Sequence, residues 1–381
     1  MRFPTLLLLS LSLISPAISP VISTAYSQRI QSPEVHPDGR VTLRVVAPEA
    51  DEVVAEISRV EDGRFSLTKG DEGIWEGVHG PLKPGIYEYS FEVDQTPQID
   101  RLNRWIKKWY SLNSLFEVPG DPPLLTEVQS VPHGVLHHHL YSSPVTDSQR
   151  RCIVYTPPSY QSDPDRTFPV LFLLHGFGDD QTAWTEVGRA HLIADNLIAA
   201  GKAKEMLIVM PHGHPVDLPY GDRDENYGAE NNAAMQREIV EVLLPWVAEH
   251  YRVASTPEQR AIAGLSMGGG HAIRISLGSN AFGWVGAFSA AAPEEESLQE
   301  LCPDLEQFKQ QTRLFWIPCG KDDFLLERNE AFDKQLSDAG VTHQFVKTAG
   351  AHNWDVWRDD YLPKYLPQLF ESPDSATAKR N

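Results

Sequence analysis

Three cysteines in 381 residues, Cys152, Cys302 and Cys319, are an odd number and too few for a disulfide framework. A hydrophobic core must therefore hold the fold; Cys302 and Cys319 could pair, but each sits beside an apolar run, which suits buried free thiols equally. Positive charge is also scarce, 33 Lys and Arg against 52 Asp and Glu, for a formal net charge of −19. Such a surface repels phosphate backbones and anionic bilayers, so no nucleic-acid or membrane partner is expected. Long apolar runs are missing after residue 25, so no later segment is expected to span a bilayer. Metal-binding spacing is missing too. His137, His138 and His139 are adjacent, but on a strand their side chains alternate sides, and no metal is expected.

What is present begins with a targeting pattern. Arg2 supplies a positive start, residues 5–14 an apolar core too short to cross a membrane, and Ser23-Thr24-Ala25 a small-residue cleavage pattern. Residues 1–25 read as a secretory signal, which implies a secreted or periplasmic protein. The length suits two further domains, and 41% hydrophobic residues suffice for a core; the oligomeric state is left open.

Residues 27–119 alternate in short runs punctuated by turn signals such as Pro37-Asp38-Gly39 and Lys83-Pro84-Gly85, the pattern of a small β-sandwich. The run from Pro37 to Val41, Ala47-Pro48 and the stretch from Gly80 to Tyr89 resemble the Ig-like early-set domain found before many exported esterases and glycogen-active enzymes. Trp105, Trp109 and Tyr110 fit either a carbohydrate-stacking platform or, more simply, packing against the next domain. Residues 120–133, with Asp121-Pro122-Pro123, form a linker, and residues 372–381 a disordered tail.

From residue 134 to 371 the rhythm changes. Apolar strand patterns at 153–155, 170–174, 206–210, 261–265, 285–288, 314–317 and 344–347, the last with polar ends, alternate with helical patterns at 189–200, 236–250 and 327–339. Strands apolar on both faces need helices on both sides, so the fold class is α/β, three layers around a mostly parallel sheet, with active groups expected at the carboxyl ends of strands.

One of those runs ends in Gly264-Leu265-Ser266-Met267-Gly268 and continues into a helical pattern. This is a nucleophile elbow: glycines flank a turn too tight for side chains, and the serine is pushed out in front of a helix N-terminus. Serine needs a base, histidine titrates in the right range, and a carboxylate fixes its tautomer. The strand ends supply both. Gly320-Lys321-Asp322-Asp323 closes one, with Asp323 preferred as the acid and Asp322 the alternative; His352 follows the last. Leu174-His175-Gly176-Phe177-Gly178 closes another and predicts an oxyanion hole from the backbone N–H groups of Phe177 and Met267, with His175 shaping the loop. Residues 211–232, containing His212, His214 and several acidic side chains, read as a loop over the cleft.

Tyr155-Thr-Pro-Pro-Ser-Tyr160, Leu173-Leu-His-Gly-Phe-Gly178, Trp184, Ile193-Ala-Asp-Asn-Leu-Ile-Ala199, Ile208-Val-Met-Pro211, the elbow, Cys319-Gly-Lys-Asp-Asp323 and His352-Asn-Trp-Asp-Val-Trp357 together resemble the esterase D and feruloyl esterase family of α/β-hydrolases, carbohydrate esterases acting on acylated xylan. The resemblance implies a serine esterase with Ser266 as nucleophile, His352 as base and Asp323 as acid, with Trp184 and Trp354 at the substrate. It implies no cofactor, and a small-molecule or polysaccharide-linked ester, feruloyl or acetyl, cleaved through an acyl-enzyme. The same fold also serves siderophore trilactone esterases and acyltransferases; a non-catalytic carbohydrate-binding protein is the alternative from another class.

Overall fold

Alternate residues of the central strands feed two separate cores. Val170, Phe172 and Leu174 join one buried cluster while Leu171 and Leu173 join the other, and Ile262 faces away from Ala261 and Ala263 in the same way. The computed structural model describes residues 30–108, 112–217, 226–294 and 296–371. The predicted signal, Trp109, Tyr110, the acidic residues Asp222, Asp224 and Glu225, and the predicted tail lie outside the described residues.

Eight strands, numbered here along the chain, form the sheet: β1 Val135–Ser143, β2 Ser148–Thr156, β3 Val170–Leu174, β4 Leu207–Pro211, β5 Arg260–Leu265, β6 Trp284–Phe288, β7 Leu314–Gly320 and β8 Gln344–Thr348. Their order is β1-β2-β4-β3-β5-β6-β7-β8. The β1-β2 hairpin pairs antiparallel to β4, and all later pairings are parallel. Helices Tyr227–Arg237, Met267–Ser279 and Leu326–Asp338 cover one face, and Ala190–Ala199 with the helical segment from Trp354 to Tyr365 covers the other. Strands buried on both faces need this cover.

The predicted loop 211–232 is shorter than expected. Tyr227–Arg237 is already helical and runs on through a π turn, Glu238–Leu243, into Leu244–His250. Only Tyr227, Asn231 and Met235 of its first part are buried, a stripe one residue wide that includes an asparagine, so the apolar periodicity begins late. The π turn buries Glu238 against Arg150 at 3.2 Å, with Tyr141 Oη and Ser143 Oγ donating at 2.7 and 2.5 Å.

Before the sheet, antiparallel strands between Glu34 and Val118 form two sheets that face each other over a third core, including Leu43 and Val45 from one and Ala55, Tyr89 and Phe91 from the other. This all-β region is anchored to the rest. Ile86 and Leu115 enter the second core of the α/β sheet, Trp105 Nε1 donates to the Glu186 carbonyl at 3.0 Å, and the Arg189 guanidinium lies 4.1 Å from the Trp105 ring centroid. Trp105 therefore packs between the regions. Residues 120–133 are irregular and pinned: Asn196 Nδ2 donates to the carbonyls of Leu125 and Glu127 at 2.9 and 3.0 Å. All three cysteines are buried and unpaired.

Candidate active site

Strand β5 ends at Leu265 and the helix Met267–Ser279 begins two residues later, so Ser266 occupies the turn with φ 52° and ψ −115°. That conformation is strained for a residue with a side chain. Its neighbours show why glycine flanks it. A Cβ on Gly264 would stand 2.5 Å from the Gly268 carbonyl, and one on Gly268 would stand 2.5 Å from the His175 carbonyl oxygen. Ser266 N–H donates to the Phe288 carbonyl at 2.9 Å, while its own carbonyl accepts from Gly270 and Ala291 at 3.0 and 2.8 Å, fixing the turn from three sides.

Three strand ends then meet. His352, after β8, places Nε2 3.0 Å from Ser266 Oγ and Nδ1 3.0 Å from both carboxylate oxygens of Asp323, after β7. The Leu325 N–H also donates to Asp323 Oδ1, at 2.9 Å. Burial would raise the Asp323 pKa, but hydrogen bonds and charge from His352 outweigh it and hold the carboxyl below the usual range. Asp322 is exposed and takes no part in this contact.

The loop at residues 175–178 is shaped from behind by neutral imidazoles. His175 Nδ1 donates to the Gly176 carbonyl at 2.8 Å, and its Nε2 accepts from the Gly213 N–H at 2.7 Å. His214 Nε2 accepts from the Gly178 N–H at 3.2 Å. His214 is 4% exposed, so it braces the loop from beneath, whereas the sequence suggested a cover over the cleft.

Each accepting nitrogen must stay unprotonated, and burial lowers the imidazole pKa of His175 and His271 to about 3, of His212 and His191 to about 4, and of His214 to about 2. An unfolded imidazole takes its proton near pH 6.5. Between about pH 6.5 and 4 the unfolded chain thus binds protons that these rings refuse in the fold. Stability should fall with pH there, by up to about 1.4 kcal/mol per pH unit for each ring. Asp179 and Glu117, whose pKa values burial raises, oppose this but are outnumbered. Calorimetry across that window is expected to show a steep drop in Tm; a flat profile would mean the rings are charged in the folded state.

Two cavities flank the serine. One, of about 340 Å³, is lined by Gly176, Phe177, Ser266, His352, Trp354 and Trp357 among others. The second, of about 550 Å³, reaches Ser266, Met267, Tyr227, Asn231, Arg274 and Arg328. Phe324 borders both, 76% exposed, with its ring 4.4 Å from the His352 ring. Phe177 lines both cavities beside Ser266, and Met267 lines the second.

Of the two tryptophans expected at substrate, Trp354 lines the first cavity. Trp184 does not, and that expectation is corrected. It is 1% exposed, donates from Nε1 to the Leu174 carbonyl at 2.9 Å and meets Trp354 edge to face, so it pins the end of β3 from below.

Sequence reasoning missed Phe324, one residue from Asp323, and gave Trp357 no role although it stands in the motif that follows His352. It also missed Asp179, next to the His-Gly-Phe-Gly loop, and Arg59, Glu88 and Lys107, which reach the first cavity from the all-β region and carry no local signal. Among the described residues no cluster of His, Cys, Asp or Glu has the arrangement of a metal site, and no helix is long and apolar enough to cross a membrane.

Residues 143–366 match the Esterase family model, described as "Putative esterase". An endo-1,4-beta-xylanase/feruloyl esterase of Xylanibacter ruminicola is 28% identical over 89% of the chain, which spans 46% of that relative. A solved ferulic acid esterase superposes with a TM-score of 0.53 at 30% identity, over 62% of this chain and 97% of that one. The enterobactin esterase of Shigella flexneri, at 18% identity and TM-score 0.60, covers 91% of this chain and 98% of its own, and so shares the fold across both regions. The family match spans the elbow and all three strand ends that meet at it, and the chain belongs to the esterase family, carboxylic ester hydrolases of the α/β-hydrolase fold.

Proposed function

We infer that the chain is an exported serine esterase that removes an aromatic acyl group of the feruloyl type from plant polysaccharide or its oligosaccharides. The observation that carries this reading is the relay Ser266 Oγ, His352 Nε2 and Nδ1, Asp323, opening between two cavities walled by aromatic rings. Residues 27–119 would be an Ig-like domain and residues 134–371 the catalytic domain.

Ser266 Oγ attacks the ester carbonyl as its proton passes to His352 Nε2, and Asp323 stabilises the imidazolium. The negative oxygen of the tetrahedral intermediate is met by the N–H groups of Phe177 and Met267, each contributing about 3 kcal/mol to the transition state. His352 then protonates the departing alcohol oxygen. Water, deprotonated by the same imidazole, attacks the acyl-enzyme and frees the acid and the serine.

Space and chemistry favour an aromatic acyl group over acetyl. Phe177, Trp354, Trp357 and the exposed Phe324 give flat apolar faces on which a ring can stack, and an acetyl group would leave most of them wet. Purified protein is expected to hydrolyse methyl ferulate with kcat/KM at least about tenfold above that for acetylated xylan, because an acetyl group has no ring to fill such a space, and above that for a catechol siderophore trilactone, whose three catechol arms on one macrocycle make a far bulkier ester. Faster release of acetate would overturn the aromatic reading. Faster cleavage of the trilactone would favour the siderophore alternative.

A further inference from the structure

One wall of the first cavity does not come from the α/β sheet. Arg59, Glu88 and Lys107 belong to the all-β region, yet they border the same space as Ser266 and His352. They are held in place. Lys107 Nζ donates to both Glu88 carboxylate oxygens at 3.0 and 3.2 Å, Asn113 Nδ2 donates to Oε2 at 3.1 Å, and Arg59 lies 3.5 Å from Oε1. Glu88 is only 5% exposed. Burial alone would raise its pKa, but Lys107 and Arg59 pull it below the usual range, so the pair is charged. Arg59 also reaches across to Asp355, with Nε 3.3 Å and Nη2 3.4 Å from its carboxylate oxygens, beside Trp354.

The same cavity is lined by Asp179, on the loop that carries Phe177. It is 6% exposed, and its Oδ1 has no hydrogen-bond partner. Burial raises its pKa to about 7; Lys107 pulls it down, and Asp180 and Glu88 push it up. A buried carboxyl oxygen without a partner destabilises a fold, and such groups call for an explanation at functional sites. An arriving hydroxyl supplies one, because its O–H can donate to the carboxylate while its oxygen accepts from the lysine ammonium.

We propose that the all-β region completes the catalytic site: Lys107, fixed by Glu88, and the Asp179 carboxyl, with its Oδ1 unpartnered, form a subsite for a hydroxyl-bearing part of the ester. The inference rests on the reading of Ser266 as the nucleophile of an aromatic acyl esterase. The hydroxyl belongs either to the aromatic ring of the acyl group or to the sugar on the alcohol side, and these share the same hydrogen-bonding chemistry. An acetyl group itself carries no hydroxyl, so an acetyl ester could use only the sugar's.

The test uses the full chain with Asp179→Ala and Lys107→Met, the first of which removes an unpartnered polar atom and is expected to hold or raise Tm. Steady-state kcat and KM are measured for methyl ferulate, methyl cinnamate, a feruloylated arabino-oligosaccharide and p-nitrophenyl acetate. Asp179→Ala is expected to raise KM and lower the preference for the hydroxylated ester by about tenfold, the effect of losing one hydrogen bond to a charged group. A collapse of the ferulate-over-cinnamate ratio supports the subsite and assigns it to the acyl ring; a collapse of the oligosaccharide-over-methyl-ferulate ratio supports it and assigns it to the sugar. Equal losses on all four esters, or no loss on any, overturn it. Wild-type protein that cleaves p-nitrophenyl acetate but none of the cinnamoyl esters would instead overturn the aromatic reading beneath it.

Discussion

Replacing Ser266 with alanine is expected to lower kcat by at least about 10⁴-fold on every ester the protein cleaves, since under the proposed mechanism this removes a nucleophile that works as a unit with its base and leaves only binding and oxyanion stabilisation. The fold should survive. Ser266 is anchored through its backbone to Phe288, Gly270 and Ala291, and none of these bonds involves the hydroxyl. The strained φ of 52° is fixed by that framework and is common to alanine and serine. Its side chain touches His352 Nε2, which alanine leaves facing the cavity and able to find water. Calorimetry should therefore give a Tm within a few degrees of wild type while turnover of p-nitrophenyl acetate disappears. Turnover within tenfold of wild type, with the substitution verified by mass, would remove Ser266 from the mechanism.

The α/β sheet was legible because its physics is local. A parallel strand covered on both faces must be apolar at consecutive positions, and Val170–Leu174 is five such residues in a row. The elbow is legible for a related reason: close backbone approach at Gly264 and Gly268 is written as glycine two residues either side of the serine. Spacing cannot say which distant loops touch. The bracing of residues 175–178 by Gly213 and His214 depends on where β4 ends relative to β3, a matter of strand order that no window of sequence contains. Trp184 shows the converse error. Its place in a shared motif suggested the substrate, whereas its indole N–H is spent on the Leu174 carbonyl beneath the site. The polar wall of Arg59, Glu88 and Lys107 arises from packing between regions, where each residue taken alone reads as an ordinary charge on a β surface.

The choice between the two adjacent aspartates has the second large consequence. Asp323→Asn is expected to cost about 10⁴-fold in kcat, because an amide presented to His352 Nδ1 stabilises the wrong tautomer and turns an N–H toward Ser266 where a lone pair is needed. Both carboxylate oxygens of Asp323 lie 3.0 Å from Nδ1, and its side chain is fully shielded from water, so little could substitute for it. Asp322→Asn should change kcat by less than about threefold, as expected of an exposed side chain outside any buried network. Its backbone N–H, donated to the Gly350 carbonyl at 3.1 Å, is untouched by the change. The two variants differ from wild type by the same loss of one negative charge, so a general electrostatic effect on substrate approach would appear equally in both. The difference between them isolates the tautomer. The lowered pKa of Asp323 keeps its carboxylate charged in the wild type at neutral pH, so the Asn variant replaces a charged partner of Nδ1 with a neutral one. Comparable losses in the two variants, or the larger loss in Asp322→Asn, would move the acid off the hydrogen bond described above.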